Sequence, residues 1–288
     1  MRRILITGGS GQLAQAITYA AKGSANSYIC TTHDEVDICH SESIIEAIER
    51  HQAEVVINCA AYTNVDGAED DEARAMQING SAVATLAQLC RDRHITLIHI
   101  STDYVFGGDS RRTTPYAESD AIAPINAYGR SKAMGERAVV ACGGIVIRTS
   151  WLYAPWGRNF VRTILRLAEE REELSVVDDQ RGVPTSALGL ARMLVAIVDN
   201  NSTELMEGIY HYSDKGETTW CDFAREIVAQ AKIESCTIKA CSTAERNMRA
   251  ERPAYSVLNT TRIATIRGVE RAPWQERLQE VITIIKES

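Results

Sequence analysis

The chain has 288 residues, of which 45% are hydrophobic and 24% charged, and its formal net charge is −7. This composition is typical of a folded globular protein and argues against a disordered, collagen-like or coiled-coil chain. The acidic balance lacks the positive field with which proteins hold DNA or RNA. No apolar run approaches the ~20 residues of a membrane-spanning helix, and the first apolar stretch is too short for a signal peptide. We therefore expect a cytoplasmic protein that binds neither nucleic acid nor membranes.

Short β-rich runs alternate with helical periods through the first half of the chain. The predicted elements are, in order, a strand at 3–7, a helix at 12–21, a strand at 28–32, a helix at 43–51, a strand at 54–59, a long helix at 71–92, a strand at 96–101, a helix at 128–141 and a strand at 144–149. Such alternation indicates βαβ units with parallel strands. The predicted fold class is α/β, a Rossmann-type doubly wound parallel sheet.

The regular winding stops near residue 150, where a segment rich in Trp, Pro and Gly begins. We predict that residues 1–150 form an NAD(P)-binding Rossmann domain and that residues 151–288 form mainly a smaller C-terminal substrate-binding lobe. A helix at 160–170, a strand at 174–178 and a helix at 186–198 are compatible with either lobe, so some later segments are expected to return to the first domain.

A glycine-rich turn joins the first strand to the first helix, with small residues at Gly8, Gly11 and Ala14. Glycine lets the backbone approach a pyrophosphate closely, and the helix N-terminus supplies N–H groups to it. The position of this turn between a strand and a helix predicts a dinucleotide site. At the end of the second strand, where the adenosine ribose is expected, there is no Arg or Lys to favour a 2′-phosphate. The spacing alone favours NADH, but the hydroxyls of Thr31 and Thr32, or a base from elsewhere, leave NADPH open.

Tyr128 and Lys132 lie four residues apart, which places both side chains on one face of a helix. An ammonium beside a phenol stabilises the phenolate and lowers the pKa of the tyrosine, so that it can take part in proton transfer. Thr102, at the end of a predicted buried strand, can bond the same carbonyl oxygen. Together with the glycine turn, these residues predict a site that acts on a carbonyl group beside a bound dinucleotide.

At this point the sequence resembles the extended branch of the short-chain dehydrogenase/reductase superfamily, and within it the dTDP-4-dehydrorhamnose reductase family. The segments that carry the resemblance are NCAAYT at 58–63, STDYVF at 101–106, YGRSK at 128–132, RTSW at 148–151, VDDQ at 177–180, VPTS at 183–186, GIYH at 208–211 and Arg252-Pro253. They follow one another in order and cover residues 4 to about 274.

The resemblance implies a set of site residues. For the cofactor it implies Gly8, Ser10, Gly11, Gln12 and Leu13 at the pyrophosphate, Asp37 and Ile38 at the adenine, Ala60, Ala61 and Tyr62 at the inner ribose, and Asn79, Tyr128 and Lys132 nearby. For catalysis it implies Thr102, Tyr128 and Lys132, and for the sugar nucleotide Thr102, Asp103, Tyr104, Trp151 and Arg252. For Arg252, a salt bridge within the smaller lobe is an equally good interpretation.

The resemblance implies the NAD(P)H-dependent reduction of the C4 ketone of dTDP-4-dehydro-L-rhamnose to dTDP-L-rhamnose. This reaction serves deoxysugar and cell-surface polysaccharide biosynthesis. The expected cofactor is NADPH, with NADH as an alternative. A reductase of another 4-keto-deoxysugar nucleotide stays open. A dehydratase is disfavoured, since such enzymes carry Thr-Asp-Glu where this chain has Tyr104. A non-catalytic NADP-binding subunit, similar to the regulatory subunit of methionine adenosyltransferase, is also disfavoured because the catalytic residues are present.

The sequence also bears on metals and assembly. Some members of the family form dimers around magnesium held by glutamates, but the corresponding position on the first helix is Gln15, whose neutral amide is a poor ligand for a hard cation. The eight cysteines include no CxxC pair. We therefore predict no metal site, reduced thiols, and a monomer or weak homodimer.

Overall fold

The computed structural model describes residues 1–200 and 207–287. Its strands are β1 Arg3–Thr7, β2 Ser27–Cys30, β3 Val55–Asn58, β4 Thr96–Thr102, β5 Ile145–Thr149, β6 Leu152–Tyr153, β7 Glu173–Val177, β8 Arg181–Gly182, β9 Thr185–Ser186, β10 Gly208–His211, β11 Thr218–Thr219 and β12 Thr237–Cys241. Its α-helices are α1 Gln12–Ala20, α2 Ser41–His51, α3 Val65–Asp70, α4 Glu72–Met76, α5 Ala82–Asp92, α6 Ala127–Ala141, α7 Phe160–Glu170, α8 Ala187–Asp199, α9 Trp220–Ala231, α10 Thr261–Ala264 and α11 Trp274–Glu287.

In the described part of the chain, six parallel strands form the main sheet in the order β10-β5-β4-β3-β1-β2. The interior strands β3 and β5 are buried along their whole length, and each begins with three apolar residues, as strands covered on both faces commonly do. The chain winds outward from β1 to β2 and then returns to the other side of β1 with β3. This reversal opens a crevice at the carboxyl ends of β1 and β3, which is the usual ligand position in such sheets. The predicted α/β doubly wound fold is confirmed.

The second half of the chain contributes to both lobes. Strand β10 pairs with β5 in the main sheet, and α8 packs against α1. The remaining strands form three two-stranded sheets, β7 with β12, β8 with β11 and β6 with β9, covered by α7, α9 and α11. One apolar core runs without interruption from Ile4 and Ile17 in the first lobe to Trp274 and Leu278 in the second. The two lobes therefore share a core along the floor of the crevice.

The segment predicted as one helix at 71–92 is a helix interrupted by a π-helical turn. Helices α4 and α5 are joined through this turn at Gln77–Ser81, whose residue Asn79 is fully buried. Helix α6 passes so close that a Cβ on Gly80 would lie 2.5 Å from Met134 Sδ. The spacing of apolar residues in the sequence does not reveal the additional residue of a π-helical turn, because the apolar face of the helix continues on both sides of that turn.

Helix α3 was not predicted. The elements that were predicted begin and end within about two residues of the observed bounds, which is the usual uncertainty of helix and strand ends. Helix α3 is only six residues long. Asn64 caps its N-terminus, and the Asn64 side chain accepts a hydrogen bond from Gly67 N (3.0 Å). In the described part of the chain, no helix combines the length and the apolar character needed to cross a membrane.

Candidate active site

A cleft of about 840 Å³ lies at the carboxyl ends of the main sheet and is lined by residues from both lobes. The first lobe contributes the turn after β1, the ends of β3 and β4, and the first turns of α6. The second lobe contributes the segment after β5 and the beginning of α9. The cleft therefore has the position and the size expected for a cofactor and a substrate bound side by side.

The glycine turn has the geometry of a dinucleotide cradle. Gly8 adopts φ +73°, and a Cβ there would lie 2.7 Å from Ala60 N, so the turn and the end of β3 approach closely only because this residue is glycine. Gly11 precedes α1 with extended backbone, which leaves the first N–H groups of the helix pointing towards the cleft without a side-chain cap. Gln12 Oε1 is buried and has no hydrogen-bond partner among the described residues. The glycine cradle and the uncapped helix N-terminus fit a bound pyrophosphate, whereas Gln12 Oε1, an acceptor, fits a hydroxyl of the ligand.

Tyr128 and Thr102 face each other in the cleft. Tyr128 lies in the first turn of α6, and its side chain lines the cleft together with that of Thr102. Thr102 Oγ1 also accepts from Tyr104 N (3.1 Å) and donates to Asp103 Oδ1 (3.1 Å). Burial raises the pKa of Tyr128 well above its usual range, so the lowering predicted from its spacing to Lys132 is wrong for the unliganded site. The phenol is therefore protonated at neutral pH, as a proton donor must be.

Asp103 follows Thr102 in the wall of the cleft and is almost fully buried. Its Oδ2 accepts a hydrogen bond from Ser256 Oγ (2.6 Å), which connects the end of β4 to the second lobe. Burial raises the pKa of Asp103 to about 7, although its bonds to Ser256 and Thr102 favour the ionised form. Its charge state thus changes near neutral pH.

Lys132 extends from α6 into the wall of the cleft and is only 2% exposed. Its Nζ donates to Ile100 O (2.7 Å) and lies 3.1 Å from His99 Nε2. Burial lowers the pKa of Lys132 to about 8, while Glu136 and Cys59 act in the opposite direction. The amine is therefore mainly charged at pH 7 but close to its titration point.

Two stacked indoles form the second-lobe wall of the cleft. Trp151 and Trp220 have ring centroids 3.7 Å apart and an interplanar angle of 10°. Trp151 adopts φ +45°, a backbone conformation that residues other than glycine rarely take. The Trp151 ring lies against Gly182, and a Cβ on Gly182 would lie 2.5 Å from that ring. The packing on both sides holds the Trp151 ring in place against the cost of this backbone conformation.

Most of the residues predicted for the site line the cleft. These are Gly8, Ser10, Gly11, Gln12, Leu13, Asp37, Ile38, Ala60, Ala61, Thr102, Asp103, Tyr104, Tyr128, Lys132 and Trp151. Tyr62, Asn79 and Arg252 are not part of its lining. Asn79 is fully buried and bonds the backbone of Tyr62 through both of its amide atoms (2.8 and 2.9 Å) and Ser131 Oγ (2.9 Å). The structure therefore gives Asn79 contacts that orient the wall of the site.

Arg252 forms a salt bridge, the second of the two interpretations made from the sequence, although its partner lies in the first lobe. Its guanidinium bonds both oxygens of Asp66 on α3 (2.8 and 3.1 Å) and interacts electrostatically with the Tyr104 side chain. The Asp66 partner lowers the exposure of this cation, which is only 16% accessible. Arg252 thus connects the lobes at the edge of the cleft and contacts a residue of its lining.

Comparison with known proteins assigns the family. The family model described as RmlD substrate binding domain matches residues 1–287. The chain belongs to this RmlD family. A Streptomyces niveus protein named dTDP-4-keto-6-deoxy-D-glucose reductase is 42% identical over 89% of this chain and 88% of its own length. A Burkholderia thailandensis protein named dTDP-4-dehydrorhamnose reductase is 37% identical over 95% of both chains. The crystal structure of a Bacillus anthracis dTDP-4-dehydrorhamnose reductase in complex with NADP is 34% identical, with a TM-score of 0.89 over 98% of this chain and 99% of that one.

Several residues of this RmlD-family site were missed by the sequence analysis. His33 and Arg74 line the part of the cleft near Asp37, and Arg158 and Trp220 line the second-lobe side. Arg158 follows the Trp and Gly residues of a segment already recognised as irregular, so its position near a ligand could have been expected. Trp220 is 69 positions from Trp151 in the chain, and no sequence signal connects the two.

Proposed function

We propose that this protein is an NADPH-dependent reductase that converts the C4 ketone of a dTDP-4-keto-6-deoxy sugar to an alcohol. The proposed substrate is dTDP-4-dehydro-L-rhamnose and the product is dTDP-L-rhamnose. The product would be used in deoxysugar and cell-surface polysaccharide biosynthesis. The observation that carries the proposal is that Thr102, Tyr128 and Lys132 line the same cleft as the glycine turn. Membership of the RmlD family and the reductase names of its relatives support the nucleotide-sugar substrate.

The proposed cofactor is NADPH, with NADH as a slower alternative. The Bacillus anthracis relative was solved with NADP. In this chain His33 and Arg74 supply basic groups on the cleft wall near Asp37, where the sequence alone showed no Arg or Lys at the end of the second strand. Arg74 is a permanent cation, and a positive charge at the adenosine end favours a 2′-phosphate over a free hydroxyl.

The side chains of the cleft divide the remaining chemistry between them. The bound dihydronicotinamide supplies a hydride to the ketone carbon. Tyr128, held as a neutral phenol by its burial, donates its proton to the developing alkoxide, and the Thr102 hydroxyl stabilises the same oxygen. Lys132 holds the ribose hydroxyls, and its positive charge favours the phenolate that remains on Tyr128 after proton transfer.

The sugar nucleotide is expected to contact the second-lobe side of the cleft. Trp151, fixed by its stack on Trp220, offers a flat apolar surface to the sugar or the base. Asp103 and Tyr104 follow Thr102 in the wall of the cleft and are placed to contact the sugar. Arg252 acts on the substrate through its electrostatic interaction with Tyr104, which lines the cleft.

A second candidate substrate is dTDP-4-keto-6-deoxy-D-glucose. It is supported by the name of the Streptomyces niveus relative, which is 42% identical to this chain. Both substrates have a ketone at C4 of the sugar and carry the same nucleotide, so Thr102, Tyr128 and Lys132 would act alike on either. The two candidates differ in the sugar stereochemistry that the second-lobe wall must accommodate.

The test is NADPH oxidation by the purified protein with each of the two sugar nucleotides, followed by NMR identification of the product. We expect turnover with at least one of them, faster with NADPH than with NADH. Tyr128→Phe should lower kcat by about 10²- to 10⁴-fold while leaving NADPH binding intact, because only the donated proton is lost. Tyr19→Phe, which removes the hydroxyl of a half-exposed tyrosine, is the matched control and should retain full activity.

Binding of NADPH without turnover of either substrate would contradict the reductase proposal. The alternative would then be the regulatory-subunit function considered from the sequence, and a stable complex with a methionine adenosyltransferase would support it. Full activity of Tyr128→Phe would instead leave the reaction class standing and refute the assignment of the proton donor.

We further propose that the protein is a monomer or a weak homodimer without a bridging magnesium. Gln15, at the position where some relatives of this type have a glutamate, directs its Nε2 to Ser10 O (2.9 Å) within its own chain. Light scattering with and without magnesium should give the same mass. A metal-dependent dimer would refute this proposal.

A further inference from the structure

A chain of buried polar side chains runs behind Lys132 and ends at its amine. It consists of Asn58 at the end of β3, His99 in the middle of β4, and Lys132 on α6, and all three are at most 2% exposed. Asn58 Nδ2 lies 3.0 Å from His99 Nδ1, and His99 Nε2 lies 3.1 Å from Lys132 Nζ. Neither Asn58 nor His99 lines the cleft. Neither side chain is therefore placed to contact a ligand, and His99 reaches the cleft through Lys132.

The backbone fixes which way the Asn58 amide faces. Ala60 N–H, which can only donate, bonds Asn58 Oδ1 (3.2 Å), and Thr7 Oγ1 donates to the same oxygen (2.7 Å). The amide nitrogen must therefore face the ring of His99. Because Asn58 Nδ2 can only donate, His99 Nδ1 is the acceptor of this bond.

The direction of this bond determines where the proton of His99 lies. Burial lowers the pKa of His99 well below its usual value, so the ring is neutral and carries one proton. With Nδ1 as an acceptor, that proton lies on Nε2 and faces Lys132 Nζ. A neutral amine can accept this hydrogen bond and still donate to Ile100 O (2.7 Å), whereas an ammonium would oppose one N–H to another.

We propose that His99 is a positioning residue whose tautomer, set by Asn58, favours the neutral amine of Lys132 and so sets the upper pH limit of the reaction. Glu136 on the same helix and Cys59 after β3 favour the charged form of this amine, and the Tyr128 phenol lies one helical turn earlier on α6. Burial acts in the same direction as His99 and gives Lys132 a pKa of about 8. This proposal deepens the proposed function and rests on it. Its NMR tests measure the titration of Lys132 in the absence of substrate, so they can fail independently of the proposed function.

The decisive variant is Asn58→Asp, which keeps the size of the side chain and reverses the hydrogen-bond chain. A carboxylate accepts from Thr7, from Ala60 N–H and from His99 Nδ1–H, so His99 Nε2 becomes an acceptor for the Lys132 ammonium. The added negative charge favours the ammonium as well. The pKa of Lys132 should therefore rise by about 1 to 3 pH units, the range that a nearby opposite charge produces.

The measurement is NMR of selectively labelled protein. The chain has six lysines and six histidines, so the ¹³Cε signals and the ring ¹⁵N signals are few. Lys132 is assigned with Lys132→Arg, and His99 with His99→Gln. In the wild type we expect a Lys132 midpoint near pH 8 and the Nε2–H tautomer of His99 at pH 9. In Asn58→Asp we expect the higher midpoint and the Nδ1–H tautomer.

The control is Asn64→Asp, which adds the same charge at an exposed helix cap and should leave both signals unchanged. An Nδ1–H tautomer in the wild type at pH 9 overturns the proposal, even if Asn58→Asp does not fold. An unchanged Lys132 midpoint in folded Asn58→Asp overturns it too. With the substrate of the proposed function, the alkaline limb of kcat/KM should move by the same number of pH units as the NMR midpoint, and a limb that does not move would also overturn it.

Discussion

The salt bridge between Glu136 and Arg148 allows a direct test of how the active-site helix is held on the sheet. Both side chains are only 2% exposed, and the guanidinium makes three hydrogen bonds of 2.7, 2.9 and 3.1 Å to the carboxylate. Glu136→Gln keeps the shape and leaves the Arg148 cation buried without a counter-charge. Breaking one partner of a buried pair costs about 3–5 kcal/mol in the free energy of unfolding, which corresponds to a fall in Tm of roughly 6–20 °C.

The remaining contacts of Arg148 offer no replacement for the lost charge. One guanidinium nitrogen lies 3.2 Å from His211 Nε2, and the group lies over the Phe106 ring at 5.0 Å. Burial lowers the pKa of His211 to about 3, so this ring stays neutral at physiological pH. Neither contact provides a negative charge, and the full cost of the unpaired cation should therefore appear in the measured stability.

Urea unfolding followed by tryptophan fluorescence measures the effect. Glu170→Gln is the matched control, since its pair with Arg166 is half exposed on both sides and should change the free energy of unfolding by less than about 0.5 kcal/mol. Replacing both partners, as in Glu136→Leu with Arg148→Met, should recover most of the loss. A loss below about 1 kcal/mol for Glu136→Gln would refute the reasoning, because it would mean that the buried cation is still solvated.

Three further predictions concern the cofactor turn, the pH dependence of stability and the contact between the lobes. Gly8→Ala should weaken NADPH binding at least about 10-fold in a fluorescence titration, since φ +73° and the 2.7 Å approach to Ala60 N exclude a Cβ, and an unchanged Kd would contradict this. Burial raises the pKa of Asp214 from 3.8 to about 7, so the folded protein keeps a proton that the unfolded chain releases, and stability falls as the pH rises through this interval. Asp214→Asn should remove that fall, and parallel stability curves for the two proteins between pH 4 and 7 would argue against it. Asp66→Asn should speed hydrogen exchange at the amide of Ala250, which donates to Asp66 Oδ1 (3.0 Å), and unchanged protection would show that the salt bridge to Arg252 does not hold this segment.

The parts of the fold that were predictable from the sequence depend on local patterns. The strands β1, β3, β4 and β5 are apolar runs between turn residues, and their bounds were predicted within one or two residues. The π-helical turn at Gln77–Ser81 was not, because it is stabilised by contacts with distant segments. Asn79 reaches the backbone of Tyr62 and the hydroxyl of Ser131, and neither partner can be identified from the helical pattern.

The candidate site shows the same division. Tyr128 and Lys132 could be paired from their spacing, because four residues make one helical turn whatever lies around it. His99 could not be connected with Lys132, since in the sequence it is only the central residue of an apolar strand. Its contacts come from β3 on one side and α6 on the other, and only the packed sheet brings them together.

Strand β10 has a consequence for how the chain folds during synthesis. It pairs with β5 in the main sheet, and about 60 residues must be synthesised between the two strands. At the usual 5–20 residues per second, that takes roughly 3–12 s. Throughout this interval the outer edge of β5 has unpaired backbone groups and can join a strand from another nascent chain. The nascent first lobe is therefore most exposed to aggregation before the ribosome reaches Gly208, and we expect a chain truncated at residue 150 to remain in that state.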